Sequence, residues 1–241
     1  MEASSCNGLR GTADAGHLFV LNSGSGGPAW NMALDEALLH AIREIGCPVL
    51  RFYSWTEPAG SFGYSQRYTD VEKTTRLRPL IRRPTGGGLV PHDADWTYSL
   101  VFPAEHFWYR LSAEQSYASV HEWIRLAFAG IGVTTELSPC CRKEVPGQCF
   151  VGAEKHDLLW HGRKIAGAAQ RRPKEGLLIQ GSVQPPPIGL PRASWEGAMR
   201  ETGRDILRGH WSEYSVPEHL AQYAEVLRVG KYSSTDHNQK R

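Results

Sequence analysis

Long apolar runs and an excess of one charge are both missing from this 241-residue sequence. No stretch approaches the roughly 18 consecutive apolar residues of a membrane span, so no membrane association is expected. The 27 basic and 25 acidic residues leave a net charge of +2, which gives no strong attraction to nucleic acid. Residues 1–16 lack the basic and apolar segments of a signal peptide and are too short and polar for a helix-turn-helix. A disordered tail is predicted there.

The sequence is also poor in cysteine, with five residues that are odd in number and never spaced as C-x-x-C. In a chain of this size without a signal peptide, this argues against a disulfide framework. A reducing, cytoplasmic setting is therefore predicted, in which at least one thiol is free to react.

No repeat of fixed period and no low-complexity block divides residues 17–241, which are predicted to form one domain. Mixed strands and helices without a regular β-α-β alternation favour an α+β fold with a largely antiparallel sheet. Strands are predicted at 17–23, 49–55 and 96–103, and a β-meander from residue 150. Helices are predicted at 31–46, where Gly46 ends the helix, after a Ser112–Gln115 capping box, and from residue 217. A proline-rich linker is predicted at 184–192. The alternation in residues 96–103 is typical of a half-buried strand.

The motif RRPTGGGLVPHD, residues 82–93, combines arginines with three consecutive glycines. Glycines let the backbone approach a ligand closely, and arginines can neutralise a phosphate or carboxylate. The motif is neither a P-loop nor a dinucleotide fingerprint. The candidate substrate-binding residues here are Arg82, Arg83, Thr85, Gly86, Gly87, Gly88 and His92. The alternative is a flexible hairpin turn between two strands.

A second motif, GRKIAGAAQRR at 162–172, places Lys164 at the start of a strand of small residues. A partly desolvated lysine can contact a carbonyl or phosphate oxygen, and small residues such as Gly167 and Ala168 would let a substrate chain lie flat. The alternative is a surface lysine that opens a strand.

Cys149 lies 15 residues before Lys164, and a meander could bring the two together. A reactive thiolate needs such a nearby cation, although a free cysteine is also a common small core residue. A rival interpretation takes zinc ligands from Cys140, Cys141, Cys149, His156 and His161, but their spacing is wrong for a zinc finger or ribbon.

Two further features favour structural roles. Asp35 and Glu36 are adjacent in a helix and do not face one another, so a structural hydrogen bond is expected rather than a catalytic carboxylate pair. The C-terminal run with Lys231, Lys240 and Arg241 is most simply a solvated tail.

Together these segments resemble the lipoate–protein ligase and octanoyltransferase superfamily, which is related to biotin–protein ligases. The resemblance extends over about residues 17–241, and its motifs are specific in their order and spacing rather than singly. They are NMALDEALL at 31–39, RRPTGGGLVPHD at 82–93, TYSLVFP at 97–103, GRKIAGAAQRR at 162–172, LIQGSV at 178–183 and KYSSTDHNQKR at 231–241.

The resemblance implies a twisted mixed sheet flanked by helices, as in biotinyl protein ligases and class II aminoacyl-tRNA synthetases. It implies an acyl chain beside the glycine loop with its carbonyl near Lys164, and an amide product on a lysine of a lipoyl domain. Acceptors would be lipoyl domains of 2-oxoacid dehydrogenases or the H protein of glycine cleavage.

The superfamily contains two mechanisms. Cysteine-dependent octanoyltransferases take the acyl group from acyl carrier protein onto a cysteine and need no cofactor; Cys149 followed by Phe150, its spacing to Lys164 and the C-terminal KYxSxxxNxxR pattern resemble this type. Ligases activate lipoate with ATP and Mg²⁺; the third glycine and the His92–Asp93 pair resemble that type. Octanoyl transfer through Cys149 with Lys164 is expected, with the ligase and a non-catalytic binder of lipoate or lipoyl domains as alternatives.

Overall fold

The computed structural model describes residues 16–140, 142–143 and 152–240, and residues 142–143 by their backbone alone. The helices are α1 Pro28–Ile45, α2 Tyr68–Thr74, α3 Phe107–Arg110, α4 Ala113–Gly130, α5 Arg192–Leu207, α6 Glu218–Leu227 and α7 Thr235–Asn238, with a π-helical turn at Arg228–Tyr232. The strands are β1 Gly16–Gly26, β2 Val49–Trp55, β3 Ala59–Phe62, β4 Leu80–Arg82, β5 Val90–His92, β6 Trp96–Pro103, β7 Glu136–Leu137, β8 Arg142–Lys143, β9 Gly152–Ala153, β10 Leu158–Trp160, β11 Arg163–Arg171, β12 Gly176–Val183 and β13 Gly209–Glu213.

The main sheet has eight strands in the order β13-β1-β2-β6-β12-β11-β10-β7. Every pair from β2 to β7 is antiparallel, whereas β1 runs parallel to both of its neighbours. A smaller sheet, β4-β3-β5, carries the glycine loop between β4 and β5. The predicted α+β class with a largely antiparallel mixed sheet is confirmed.

Strand β6 is buried along its whole length, so the expectation of a half-buried strand is wrong. Val101 packs in a cluster with α1, while Leu100 and Phe102 on the opposite face pack in a cluster with α4 and α5. Helices therefore cover both faces of the central strands. An alternating pattern does not reveal this, because the hydroxyls of Thr97 and Ser99, on the same face as Val101, are buried through hydrogen bonds to Asp95 and Asp35.

Two local signals end and begin helices as predicted, although α1 begins at Pro28 rather than at residue 31. Gly46 ends α1 with a left-handed φ of 73° and donates its N–H to the carbonyl of Ile42. The Ser112–Gln115 capping box begins α4. Helix α5 was not expected; it begins directly after Pro191, where the sequence shows a proline-rich linker.

A buried ion pair fastens α1 to the sheet. Asp35 accepts a hydrogen bond from Arg51 Nη1 at 2.7 Å, and neither side chain is exposed. Its carboxylate also accepts bonds from Tyr53, Ser99 and Gln180, at 3.0, 2.6 and 2.7 Å. The proximity of this carboxylate adds to burial in raising the pKa of Tyr53 well above its ordinary value. The expectation of a structural role for this helix position is therefore correct.

The C-terminal segment packs into the fold, so the expectation of a solvated tail is wrong for its described part. Lys231 Nζ lies 2.6 and 2.8 Å from the two carboxylate oxygens of Glu36, and Tyr232 is fully buried and donates to the same carboxylate at 2.8 Å. Burial would raise the pKa of Glu36, but the Lys231 ammonium and the Tyr232 hydroxyl lower it below its ordinary value. Arg241 and residues 1–15 of the tail predicted at 1–16 lie outside the described residues, whereas Gly16 begins β1.

Candidate active site

A cavity of about 710 Å³ lies between the glycine loop, strands β11 and β12 of the main sheet and the start of α4. Met32 and Tyr53, both almost fully buried, belong to its inner wall. Glu114 and Lys155 also line the cavity, are exposed and pair with each other at 2.6 Å. A pocket of this volume with one buried and one exposed end is of the size that takes a small-molecule ligand.

Lys164 lies in the wall of this cavity, which rules out the surface-lysine alternative. Its Nζ is 2.7 Å from Asp157 Oδ2, and both side chains are 5% exposed. A Cβ placed on Gly167 would lie 2.9 Å from Lys164 Cε and 3.0 Å from Nζ. The glycine therefore leaves the room into which the lysine side chain folds.

Asp157 was not singled out from the sequence, although it lies seven positions before Lys164. Burial raises the pKa of its carboxyl above the ordinary value, against the opposing effect of the Lys164 ammonium. Its Oδ2 also accepts the backbone N–H of Glu154 at 2.6 Å. The acid thus connects the lysine to the segment that follows Cys149 in the chain.

Arg83 holds the glycine loop, because its guanidinium group donates to backbone carbonyls of the protein. Its Nη2 donates to the carbonyls of Gly86 and Gly88 at 2.8 and 2.9 Å, and its Nη1 donates to the carbonyl of Ser61 at 2.8 Å. Gly87 has a left-handed φ of 85° and lines the cavity together with Gly88. The loop backbone is held by Arg83 and forms part of the cavity wall.

Thr85 and Arg82 hold the loop from outside the cavity. Thr85 Oγ1 donates to Gln180 Oε1 at 2.7 Å, and Gln180 lines the cavity. Arg82 is fully buried and donates to backbone carbonyls of the C-terminal segment, among them those of His237 at 3.0 Å and Lys240 at 2.7 Å. The substrate-contacting role predicted for Arg82 has no support in this geometry.

His92 lines the cavity between two partners. Its Nε2 is 2.6 Å from Ser61 Oγ, its Nδ1 is 2.8 Å from Asp95 Oδ2, and the Trp55 indole stacks on the ring at 3.9 Å. Burial would raise the pKa of Asp95, but the neighbouring His92 ring and two hydroxyl donors lower it below its ordinary value. The sequence pairs His92 with Asp93, which is exposed; the structure pairs it with Asp95.

Gly167 and Ala168 line the cavity, as predicted for residues along a substrate chain. Cys149, the predicted nucleophile, lies outside the described residues. Cys140 is an exposed free thiol, whereas Cys47 is disulfide-bonded, which departs from the expectation of reduced cysteines.

Within residues 16–140 and 152–240, no three His, Cys, Asp or Glu side chains gather in a way that could hold a metal ion. Two members of the rival zinc set, Cys141 and Cys149, lie outside that part. No helix within it is long and apolar enough to cross a membrane.

Solved lipoate ligases share this fold. The structure superimposes with a TM-score of 0.76 on lipoate-protein ligase A bound with ATP, at 21% identity, covering 93% of this chain and 98% of that one. A bi-partite lipoate protein ligase from Thermoplasma acidophilum, solved with its E2 lipoyl domain, gives 0.70 at 20% identity, covering 94% and 96%. At these identities the likeness establishes the fold alone.

Sequence similarity gives the family. Residues 27–184 match the lipoyl protein ligase A/B catalytic domain, and the chain belongs to this family. It is 36% identical over 161 residues to octanoyltransferase LipM of Carboxydothermus hydrogenoformans, covering 64% of this chain and 60% of the relative. It is 35% identical over 180 residues to octanoyltransferase LipM of Bacillus subtilis, covering 68% and 63%. The match therefore spans less than two thirds of these relatives' length.

Proposed function

We propose that this chain is a cytoplasmic acyltransferase that moves an octanoyl group from acyl carrier protein to a lysine of a lipoyl domain, through a thioester on Cys149. The observation that carries the proposal is Lys164, a buried cation in the cavity wall that Asp157 orients at 2.7 Å. Similarity to curated octanoyltransferases supports the choice of acyl group.

The first half-reaction transfers the acyl group to the enzyme. Cys149 gives its proton to Lys164, the resulting thiolate attacks the octanoyl carbonyl, the carbon–sulfur bond to the carrier breaks, and Lys164 returns the proton to the leaving carrier sulfur. Gly152, three positions after Cys149 in the sequence, lines the cavity that holds Lys164, which supports a meeting of the two groups. The ammonium of Lys164 favours the thiolate and stabilises the developing oxyanion.

The second half-reaction forms the product. The amine of the acceptor lysine attacks the acyl-enzyme, the amide bond forms, and Cys149 leaves as a thiol, which gives ping-pong kinetics. Lys164, held by Asp157 at 2.7 Å, would move the proton between the amine and the thiol. A lipoyl domain as acceptor is supported by family membership, and the E2 lipoyl domain or the glycine cleavage H protein are the candidates.

The transferase needs no cofactor. A second candidate function, ATP-dependent lipoate ligation, is favoured by one observation. The cavity of about 710 Å³ has room for a ligand larger than an eight-carbon acyl chain. In that reaction ATP with Mg²⁺ would activate the carboxylate, and Lys164 would contact both the acyl carbonyl and the α-phosphate.

Intact-mass spectrometry with octanoyl–acyl carrier protein, with and without ATP, tests the proposal. We expect one octanoyl mass added without ATP, removed by hydroxylamine and absent in Cys149→Ala. Transfer by Cys149→Ala at the wild-type rate would overturn the thioester mechanism. Modification of a lipoyl domain only with lipoate and ATP would establish the ligase, and binding without either modification would establish a non-catalytic binder.

A further inference from the structure

Three hydrogen-bonded side chains suited to acyl transfer lie at the cavity wall, apart from Cys149 and Lys164. Ser61 Oγ contacts His92 Nε2 at 2.6 Å, and His92 Nδ1 contacts Asp95 Oδ2 at 2.8 Å. In serine acyl-transfer sites the hydroxyl meets Nε2 of the base and the carboxylate meets Nδ1, which is the same arrangement. Both Ser61 and His92 line the cavity.

The neighbouring hydrogen bonds fix the direction of each proton. Asp95 Oδ2 accepts from Ser182 Oγ at 2.7 Å and from Thr97 Oγ1 at 2.9 Å. Thr97 Oγ1 itself accepts the indole N–H of Trp55 at 2.8 Å, so its own proton points to the carboxylate. An ionised Asp95 can only accept, so Nδ1 of His92 donates to it and Nε2 is left as the base.

Arg83 gives the serine its orientation. Its Nη1 donates to Ser61 Oγ at 2.9 Å, and because a guanidinium only donates, the single Ser61 proton is directed to His92. The same cation lies 2.9 Å from Ser61 Oγ and would stabilise negative charge on that oxygen while His92 takes its proton. Ser61 borders the cavity but has no accessible surface, so an acyl group would reach its Oγ from the cavity once the neighbouring side chains of the wall move aside.

We propose that Ser61, His92 and Asp95 form a second nucleophilic centre, which hydrolyses medium-chain acyl thioesters or esters independently of Cys149. Ser61 Oγ bonds to the acyl carbon, the bond from that carbon to the leaving sulfur or oxygen breaks, and His92 passes the serine proton to the leaving group. Water then attacks the acyl-serine, His92 takes its proton and returns it to Ser61, and a free carboxylic acid leaves. The product is an acid rather than the amide of the proposed transfer reaction.

Covalent labelling tests the nucleophile directly. Full-length Cys149→Ala protein, which removes the thiol as a competing nucleophile, is treated with diisopropyl fluorophosphate, and the adduct is located by peptide mass spectrometry. We expect one adduct on Ser61 that is lost in the additional variant His92→Gln. If the hydrogen bonds among Ser61, His92 and Asp95 only stabilise the fold, Ser61 stays unlabelled, and that result would overturn the proposal.

Hydrolysis of p-nitrophenyl octanoate provides a second readout in the same Cys149→Ala protein. Ser61→Ala should lower the rate at least 100-fold, as loss of a positioned nucleophile or base commonly does. The matched control is Ser99→Ala, which changes another buried serine that bonds a carboxylate, that of Asp35, away from His92. A Ser61→Ala rate within threefold of the parent would also overturn the proposal, and if this variant does not fold, the labelling result decides.

Discussion

At the scale of single residues, the chemistry depends on where one lysine is held. Lys164 is buried, paired with Asp157 and folded over a glycine, so its charge has a fixed position in the cavity. Position matters because a displacement of about 1 Å from the reacting geometry can cost on the order of 100-fold in rate. Substitutions of Lys164 test whether the lysine is needed, and a substitution of Gly167 tests whether its position matters.

Lys164→Ala should lower the rate of octanoyl transfer by about 10² to 10⁴, the usual cost of a lost proton-transfer group. Lys164→Arg should not restore the rate, because a guanidinium does not release its proton and its planar head has a different shape. Single-turnover transfer from octanoyl–acyl carrier protein measures both. Near-normal turnover of folded Lys164→Ala would remove this residue from the site.

Gly167→Ala should move the lysine without unfolding the protein. The new Cβ would meet the far end of a flexible side chain, at 2.9 and 3.0 Å, rather than the backbone. We expect transfer to fall roughly 10- to 100-fold, while the free energy of unfolding changes by less than about 1 kcal/mol. The control is Gly197→Ala in α5, where a Cβ meets nothing within 4 Å. Equal activity of the two variants would contradict the assignment.

At the scale of elements, the glycine loop and α4 each make a separate prediction. The loop between β4 and β5 is held by Arg83 from within, and one of its glycines has a backbone angle that other residues adopt only with strain. Helix α4 carries a buried histidine beside Lys164, which makes this helix sensitive to acid.

Gly87→Ala should reduce acyl loading and lower stability by about 1–2 kcal/mol, because φ at Gly87 is 85°. Gly86→Ala is the matched control, since its Cβ would meet nothing within 4 Å and no left-handed φ is required there. Melting temperature and the fraction acylated at saturating donor are measured on the same samples. Normal loading by Gly87→Ala would show that the loop only connects two strands.

The protein should lose stability as pH falls below about 6.5. Burial, with a contribution from nearby Lys164, lowers the pKa of His121 to about 3, so the unfolded state takes up a proton that the folded state does not. At up to 1.4 kcal/mol per pH unit, roughly 2–3 kcal/mol is lost between pH 6.5 and pH 4.5. His121→Leu should flatten this decline in urea unfolding, and exposed His219→Leu should not. An unchanged slope in His121→Leu would assign the acid sensitivity elsewhere.

At the scale of the whole molecule, the C-terminal segment is part of the support of the site. The guanidinium of Arg82, the residue before Arg83, donates to five backbone carbonyls. Two belong to the segment between β3 and α2, and three belong to the C-terminal segment: Tyr64, Gln66, His237, Asn238 and Lys240. The segment closes against α1 through Lys231 and Glu36. The glycine loop thus follows directly after β4, and the C-terminal segment holds β4 in position through Arg82.

Arg82→Lys should therefore lower the free energy of unfolding by at least about 3 kcal/mol, because an ammonium cannot span five carbonyls and several buried acceptors lose a charged donor. Urea unfolding with limited proteolysis of the C-terminus measures it. Exposed Arg78→Lys, which changes an arginine that donates to the nearby carbonyls of Glu72, Thr75 and Leu77, should stay within about 0.5 kcal/mol. A stable Arg82→Lys protein with a protected C-terminus would show that other contacts hold this segment.

Much of the fold and part of the candidate site followed from the sequence, because the signals are local. The Ser112–Gln115 capping box, Gly46 and the two glycine-bearing motifs all act within a few residues of themselves. The fold class and family also follow, since the spacing of strands, helices and motifs along the chain carries them. Lys164 and Gly167 could be named for the same reason.

Only the tertiary structure decided which side chains meet. The tertiary structure adds Asp157, Asp95 and Ser61 to the candidate site, removes Arg82 from it and packs the C-terminal segment against the fold. Local sequence patterns do not predict these contacts, because the order of the strands determines which residues become neighbours. Arg82, for example, bonds the carbonyl of His237, which is 155 positions away in the chain. A buried donor or acceptor must find a partner wherever the fold supplies one, and the amino-acid sequence alone does not say where that is.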